Sequence, residues 1–143
     1  MSVKPVPDGY HSVTPYLVVE NVPRLLEFLR AAFGAVETER IADGAGKVLH
    51  AEVRIGDSMV MVGGATDRTT PMPAVLYLYV ESVDAVHRRA VEAGAVSLAE
   101  TADQFYGDRS GAVKDPCGNQ WWIATHVEDV SGEEMARRMA ERK

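Results

Sequence analysis

The chain has 143 residues, 46% of them apolar and 25% charged, which suits one soluble domain with its own core and leaves little room for two independent ones. Its net charge of -6 argues against broad attraction to nucleic-acid phosphates or anionic lipid, and no apolar run approaches the roughly 20 residues that span a bilayer. Cys117 is the only cysteine, so an internal disulfide and a multi-cysteine zinc site are excluded.

Read in chain order, the opening MSVKPVPDGYHS lacks the apolar stretch of a signal peptide, so a cytoplasmic location is expected. The next element is an apolar strand over about Thr14 to Val19, followed by VVENVPRLLEFLRAAFGAVE from Val18. Asn21 is a good N-cap, Leu25, Leu26, Leu29 and Phe33 mark one helical face, and Gly34 suits the helix end. HAEVRIGDSMVMVGG, from His50, then reads as two strands around a Gly-Asp turn. GGATDRTTPMP is a linker rich in Gly, Thr and Pro.

After the linker the pattern repeats. YVESVDAVHRRAVEAGAVS, from Tyr79, again passes from a strand through V-E-(N/S)-V into a helix. Ser82 is its N-cap, Val83, Val86, Ala90 and Val91 its apolar face, and Gly94 its end. GAVKDPCGNQWWIAT, from Gly111, is the matching hairpin. Each copy therefore reads β-α-β-β-β, over about 13–63 and 74–125, joined by a linker over 63–73. Two such copies form one pseudo-symmetric domain, since a single copy is too small to bury its own sheet face. Ser131 with Glu134 three residues later marks the start of a charged helical tail over 131–143.

Doubled β-α-β-β-β units closing on DPCGNQWWIAT resemble the vicinal oxygen chelate superfamily, which includes glyoxalase, bleomycin-resistance, fosfomycin-resistance and extradiol dioxygenase proteins. YGDRSGAVKDPCGNQWWIATHVEDVSGEEMARR is similar to its glyoxalase-like branch, and the resemblance runs from about Val13 to Met135. It implies an α+β fold in which two pseudo-symmetric βαβββ modules form a cup-shaped, mixed β-sheet with helices on the outer face. It also implies a homodimer, and in family enzymes a divalent metal held by four side chains at fixed strand positions.

Those positions carry poor ligands here. They fall on Thr14, Val75, Val60 (counted from Gly56) and Trp122 (counted from Gly118). A slip of one residue offers Met59, Met61, Leu76 and Trp121, which is no better. No family metal and no cofactor are expected. With those positions turned inward, alternation lines the cup with Thr14, Tyr16 and Val18, with Ser58, Val60 and Val62, with Val75, Tyr77 and Tyr79, and with Gln120, Trp122 and Ala124. Leu17, Val19, Met59, Met61, Leu76, Leu78, Val80, Trp121 and Ile123 then face the helices.

His50 and Glu52 project from one face of their strand and form a candidate acid-base pair or a relocated cation site. The plainer reading puts that polar face in water at a sheet edge. His87 reads as a solvated helix residue, and His11 and His126 as surface or hydrogen-bonding residues. Asp108 and Arg109, in YGDRSG, read as a loop ion pair or a turn device, with a substrate-anion role for Arg109 as the lesser alternative. Phe105 and Tyr106 either cover the cup mouth or anchor their loop. Cys117 has no adjacent base and is no nucleophile.

The expected pocket is thus Thr14, Tyr16, His50, Glu52, Val60, Val75, Tyr77, Tyr79, Gln120 and Trp122. The leading functional expectation is metal-free binding, in the sequestration or resistance sense, of an aromatic or amphipathic small molecule. The alternative is a lyase, isomerase or oxygenase-type enzyme using His50 and Glu52. A third possibility is an interaction module whose dimer surface is the functional one.

Overall fold

The computed structural model describes residues 3–142. Eleven elements follow in order: β1 (Tyr16–Val19), α1 (Val22–Phe33), β2 (Val36–Ala42), β3 (Val48–Ile55), β4 (Ser58–Gly64), β5 (Val75–Tyr79), α2 (Val83–Glu92), β6 (Val96–Asp103), β7 (Asp108–Lys114), β8 (Gln120–His126) and α3 (Gly132–Glu141). The strands form two four-stranded mixed sheets of identical topology, β1-β4-β3-β2 and β5-β8-β7-β6. In each, the first strand pairs parallel with the last and the rest is antiparallel. This is the α+β arrangement of two βαβββ modules. No helix among the described residues is long and apolar enough to cross a membrane.

The caps behave as their residue types dictate. The Asn21 side chain accepts from the Arg24 amide at 3.1 Å, Ser82 from Ala85 at 3.4 Å and Ser131 from Glu134 at 3.1 Å, each satisfying a first-turn donor. Gly34 closes α1 in the left-handed conformation at φ 68°, where a side chain would be strained. Leu25, Phe28, Leu29 and Ala32 of α1, and Val83, Val86 and Ala90 of α2, are buried. They share one core with Leu17, Val19, Ala51, Val53 and Ile55 of the first module and Val113, Trp121 and Ile123 of the second. Phe33 bridges the modules, its ring 4.8 Å from that of Trp121. Each sheet thus has one face covered by helix and one left open.

His87 departs from its expected place. It is only 7% exposed, packed between α2 and its sheet with Nε2 3.3 Å from the Ser97 hydroxyl. Gly111 makes the room, since a Cβ there would stand 3.0 Å from the imidazole Cδ2.

The DPCGN turn is a staple. Asp115 is buried; its Oδ1 accepts from the Cys117 and Asn119 amides at 2.8 and 3.0 Å, and its Oδ2 from Asn119 Nδ2 and Trp121 Nε1 at 3.1 and 2.9 Å. Asn119 Oδ1 in turn accepts from the Ala74 amide at 3.0 Å, joining the linker to the turn. Burial also pushes the Cys117 thiol up, the wrong direction for a reactive thiolate.

Candidate functional site: the two open sheet faces

On the first module the open face presents Tyr16 and Val18 of β1, with Met59, Met61 and Gly63 of β4 and His50, Glu52 and Arg54 of β3 aligned across the ladder. Val60 does not belong to it. Val60 and Val62 are buried in the core, paired with the equally buried Val53 and Ala51, while Met59 and Met61 take the open side. Counting from the turn glycine fails because the hairpins close differently. The β3–β4 turn sets Ser58 opposite buried Ile55, whereas the longer turn of the second module sets Gln120 opposite exposed Lys114. A shift of one residue sends every side chain to the other face.

The same register bears on the family metal. Trp122 lies opposite Tyr77, and Met61 opposite Tyr16, so Met61 rather than Val60 is the counterpart of Trp122. The set then becomes Thr14, Met61, Val75 and Trp122. It offers one hydroxyl, one thioether and no carboxylate or imidazole, a donor set that does not fit a divalent metal needing hard O or N ligands. Thr14 itself lies just before β1, half-buried.

His50 and Glu52 are brought together. His50 Nε2 stands 2.9 Å from Glu52 Oε2, and His50 Nδ1 stands 3.2 Å from the Tyr16 hydroxyl. Each of the two side chains is 20% exposed. Tyr16 reaches His50 by crossing β4 over Gly63, where a Cβ would lie 2.5 Å from the phenolic oxygen.

On the second module the open face carries Val75, Tyr77 and Tyr79 of β5 beside Gln120, Trp122 and Ala124 of β8. Trp122 is half-buried here while Trp121 points into the core. Asp108 and His126 join them, His126 in the hydrogen-bonding role expected of it. Asp108 is buried, not paired with Arg109; it accepts from the Tyr77 and Tyr79 hydroxyls at 2.7 and 2.9 Å and faces His126 Nδ1 at 2.8 Å. Arg109 pairs with Asp84 and Asp103 at 3.1 and 3.3 Å on the other side of the strand. Ser110, next along the same face, is buried and its hydroxyl has no partner among the described residues.

The electrostatics of this cluster are tightly matched. Burial alone raises the Asp108 carboxyl, but the hydrogen bonds from His126, Tyr77 and Tyr79 outweigh it and hold the group below its ordinary value. Desolvation, then the Asp108 hydrogen bond, raises the Tyr77 phenol; for Tyr79 that hydrogen bond leads. His126 is raised by Asp108 first and then by Asp129, whose Oδ1 faces Nε2 at 2.7 Å. Both ring nitrogens point at carboxylates, an arrangement only the imidazolium satisfies fully.

The predicted pocket residues therefore fall on two surfaces. Every side-chain hydrogen bond of Tyr16, His50 and Glu52 stays in the first module, and those of Tyr77, Tyr79 and Asp108 in the second. Both surfaces are open: Tyr16 is 51% exposed and Tyr79 59%. Between the modules, a groove of about 1060 Å³ runs along β5, lined by Phe33, Ile55, Tyr77, Tyr79, Val86 and Arg89 among others.

Comparison with other proteins agrees with this architecture. The crystal structure of TioX from Micromonospora sp. ML1 superimposes with a TM-score of 0.71 at 23% identity, covering 82% of this chain and 99% of that one. A gene product from Arabidopsis thaliana gives 0.62 at 25% identity, covering 80% and 98%. In sequence, an uncharacterized protein of Mycobacterium bovis is 34% identical over 140 residues, covering 90% of this chain and 92% of its own length. A Mycobacterium tuberculosis relative is also 34% identical, with 90% and 82% covered. The sequence profile of the Glyoxalase/Bleomycin resistance protein/Dioxygenase superfamily matches residues 9–123, and the chain belongs to that superfamily.

Proposed function

We propose that the chain binds a small aromatic or amphipathic molecule on its open sheet faces, without the family metal. The observation that carries this reading is Trp122. It occupies the position of a family metal ligand, half-buried beside the exposed rings of Tyr77 and Tyr79, whose centroids lie 5.2 Å apart. Aromatic walls with a few fixed polar groups suit a planar apolar ligand. We further propose that a second copy completes the cup, setting Tyr16, His50 and Glu52 of one chain opposite Tyr77, Tyr79 and Trp122 of its partner.

Titrating tryptophan fluorescence with a panel of aromatic compounds tests binding. Trp122 emission should respond, whereas buried Trp121 serves as an internal reference. Trp122→Phe should remove the response, and a wild-type protein that answers to no compound class sinks the reading. A monomer in sedimentation at micromolar concentration would remove the second copy alone.

An enzymatic reading is favoured by the His50–Glu52 contact, which supplies an oriented base. Metal analysis and assay of His50→Ala check it; no bound metal together with unchanged turnover would dismiss it.

A further inference from the structure

We infer that Tyr16, His50 and Glu52 form a proton relay, with Tyr16 as the group that touches the ligand, and that its ligand is a small molecule bearing an acidic hydroxyl, a phenol or an enol. The inference rests on the open face being a ligand surface and adds the chemistry of one end of it.

Hydrogen-bond logic fixes the direction. An ionised Glu52 carboxylate can only accept, so at 2.9 Å the proton between it and His50 belongs to Nε2. In the neutral ring Nδ1 is then bare, and at 3.2 Å the Tyr16 hydroxyl donates to it. That leaves lone pairs of the Tyr16 oxygen, on a side chain 51% exposed, as the acceptor offered to solvent. A ligand hydroxyl donating to that oxygen completes a chain of three hydrogen bonds. The step balances without a co-reactant. The ligand O–H bond breaks and its proton goes to the Tyr16 oxygen; the Tyr16 proton passes to His50 Nδ1; the imidazolium so formed faces Glu52. The ligand is left as an oxyanion, and the reverse transfer returns the proton.

A second observation concerns how Tyr16 is placed. The Tyr16 ring lies across the neighbouring strand, and it does so only because residue 63 has no side chain: a Cβ there would stand 2.5 Å from the phenolic oxygen and 2.8 Å from a ring carbon. Gly63 sits directly opposite His50 and Val18 in the ladder, so it is the floor over which the phenol reaches the imidazole. Tyr16 and His50 ring centroids are 5.6 Å apart at 37°.

4-Nitrophenol serves as probe, because phenol and phenolate absorb at different wavelengths. Wild-type protein should bind it as phenolate about one pH unit below its midpoint in water, a tenfold preference, with no proton released to a weakly buffered solution. Tyr16→Phe should bind it as the neutral phenol, and Gly63→Ala, verified as folded by circular dichroism, should do the same. Glu52→Gln should move the pH at which the phenolate band appears back toward that of free probe. Probe bound but never ionised overturns the relay and leaves the pocket intact. No association of the probe overturns the assigned ligand class, and the aromatic panel then decides the pocket separately. If Gly63→Ala fails to fold, Tyr16→Phe decides alone: an unchanged phenolate band in that variant overturns the role of Tyr16.

Discussion

The two open faces solve the same problem with opposite outcomes. In each module tyrosine from the first strand reaches across the last strand to a polar residue of the third, His50 in one case and Asp108 in the other. In the first module it meets an imidazole that keeps one nitrogen for it and one for Glu52. In the second, two tyrosines and His126 converge on one buried carboxylate. The first arrangement leaves a proton free to move. The second is saturated, its acceptor held by three donors, and is built for rigidity. One backbone plan therefore supports either a reactive or a locked face, depending on whether a base or an acid sits at the centre.

The largest effect should come from the staple behind the locked face. Asp115→Ala leaves Trp121 Nε1, Asn119 Nδ2 and two amides without their acceptor, and we expect a loss of roughly 3–5 kcal/mol in denaturant unfolding, since each orphaned buried donor costs about 1–3 kcal/mol. Its counterpart at the short hairpin, exposed Asp57, should tolerate alanine within about 0.5 kcal/mol. Equal losses at the two positions would erase the distinction between the turns.

Next in size is the register of β4. Val60→Ala removes core volume and should cost about 1–3 kcal/mol, whereas Met61→Ala on the open face should cost under about 1 kcal/mol and change the ligand response instead. The reverse order in thermal unfolding would restore the face assignment made by counting from Gly56.

The locked cluster also predicts a pH signature. His126 is raised in the fold, so its contribution is fully present below the unfolded value near 6.5 and is lost as pH rises through the higher folded value. Asp108 is lowered, so its contribution is present above 3.8 and is lost as pH falls through the lower folded value. Stability of the second module should therefore decline on both sides of mildly acidic pH. Asp108→Asn should shift the His126 titration, followed by NMR, back toward 6.5; an unmoved titration would detach His126 from that carboxylate. Smallest of all, Tyr16→Phe should leave stability within about 1 kcal/mol, because its hydroxyl sits on an exposed ring, while Tyr79→Phe should cost more by orphaning part of a buried acceptor.

Much of the fold was legible because its signals are local. Asn21, Ser82 and Ser131 cap the helices that their types announce, and the two indoles of Trp121 and Trp122 separate by simple alternation. What the sequence hides is set by distant partners. Asp108 looks like a turn residue in YGDRSG, yet its tyrosines lie 29 and 31 positions upstream. His87 sits among charges on its helix, and only the missing side chain at Gly111 across the interface lets it be buried. Val60 falls on the core side because strand parity follows the residue opposite the turn, not distance from a glycine. How the site residues divide between the two sheets is likewise hidden, since alternation tells which face a residue takes but not which other face it meets.

The hydrogen bond from the Ala74 amide to Asn119 Oδ1 also bears on the entropy of closing the second sheet. It fastens positions 45 residues apart and opens the parallel pairing of β5 with β8, the most non-local contact of the second module. Closing a loop of that length is an entropic cost that local turns avoid. Because Asp115 holds the Asn119 side chain through its Nδ2, the contact that joins the linker to β8 needs little further side-chain ordering, and the DPCGN segment lowers the entropic cost of that long closure.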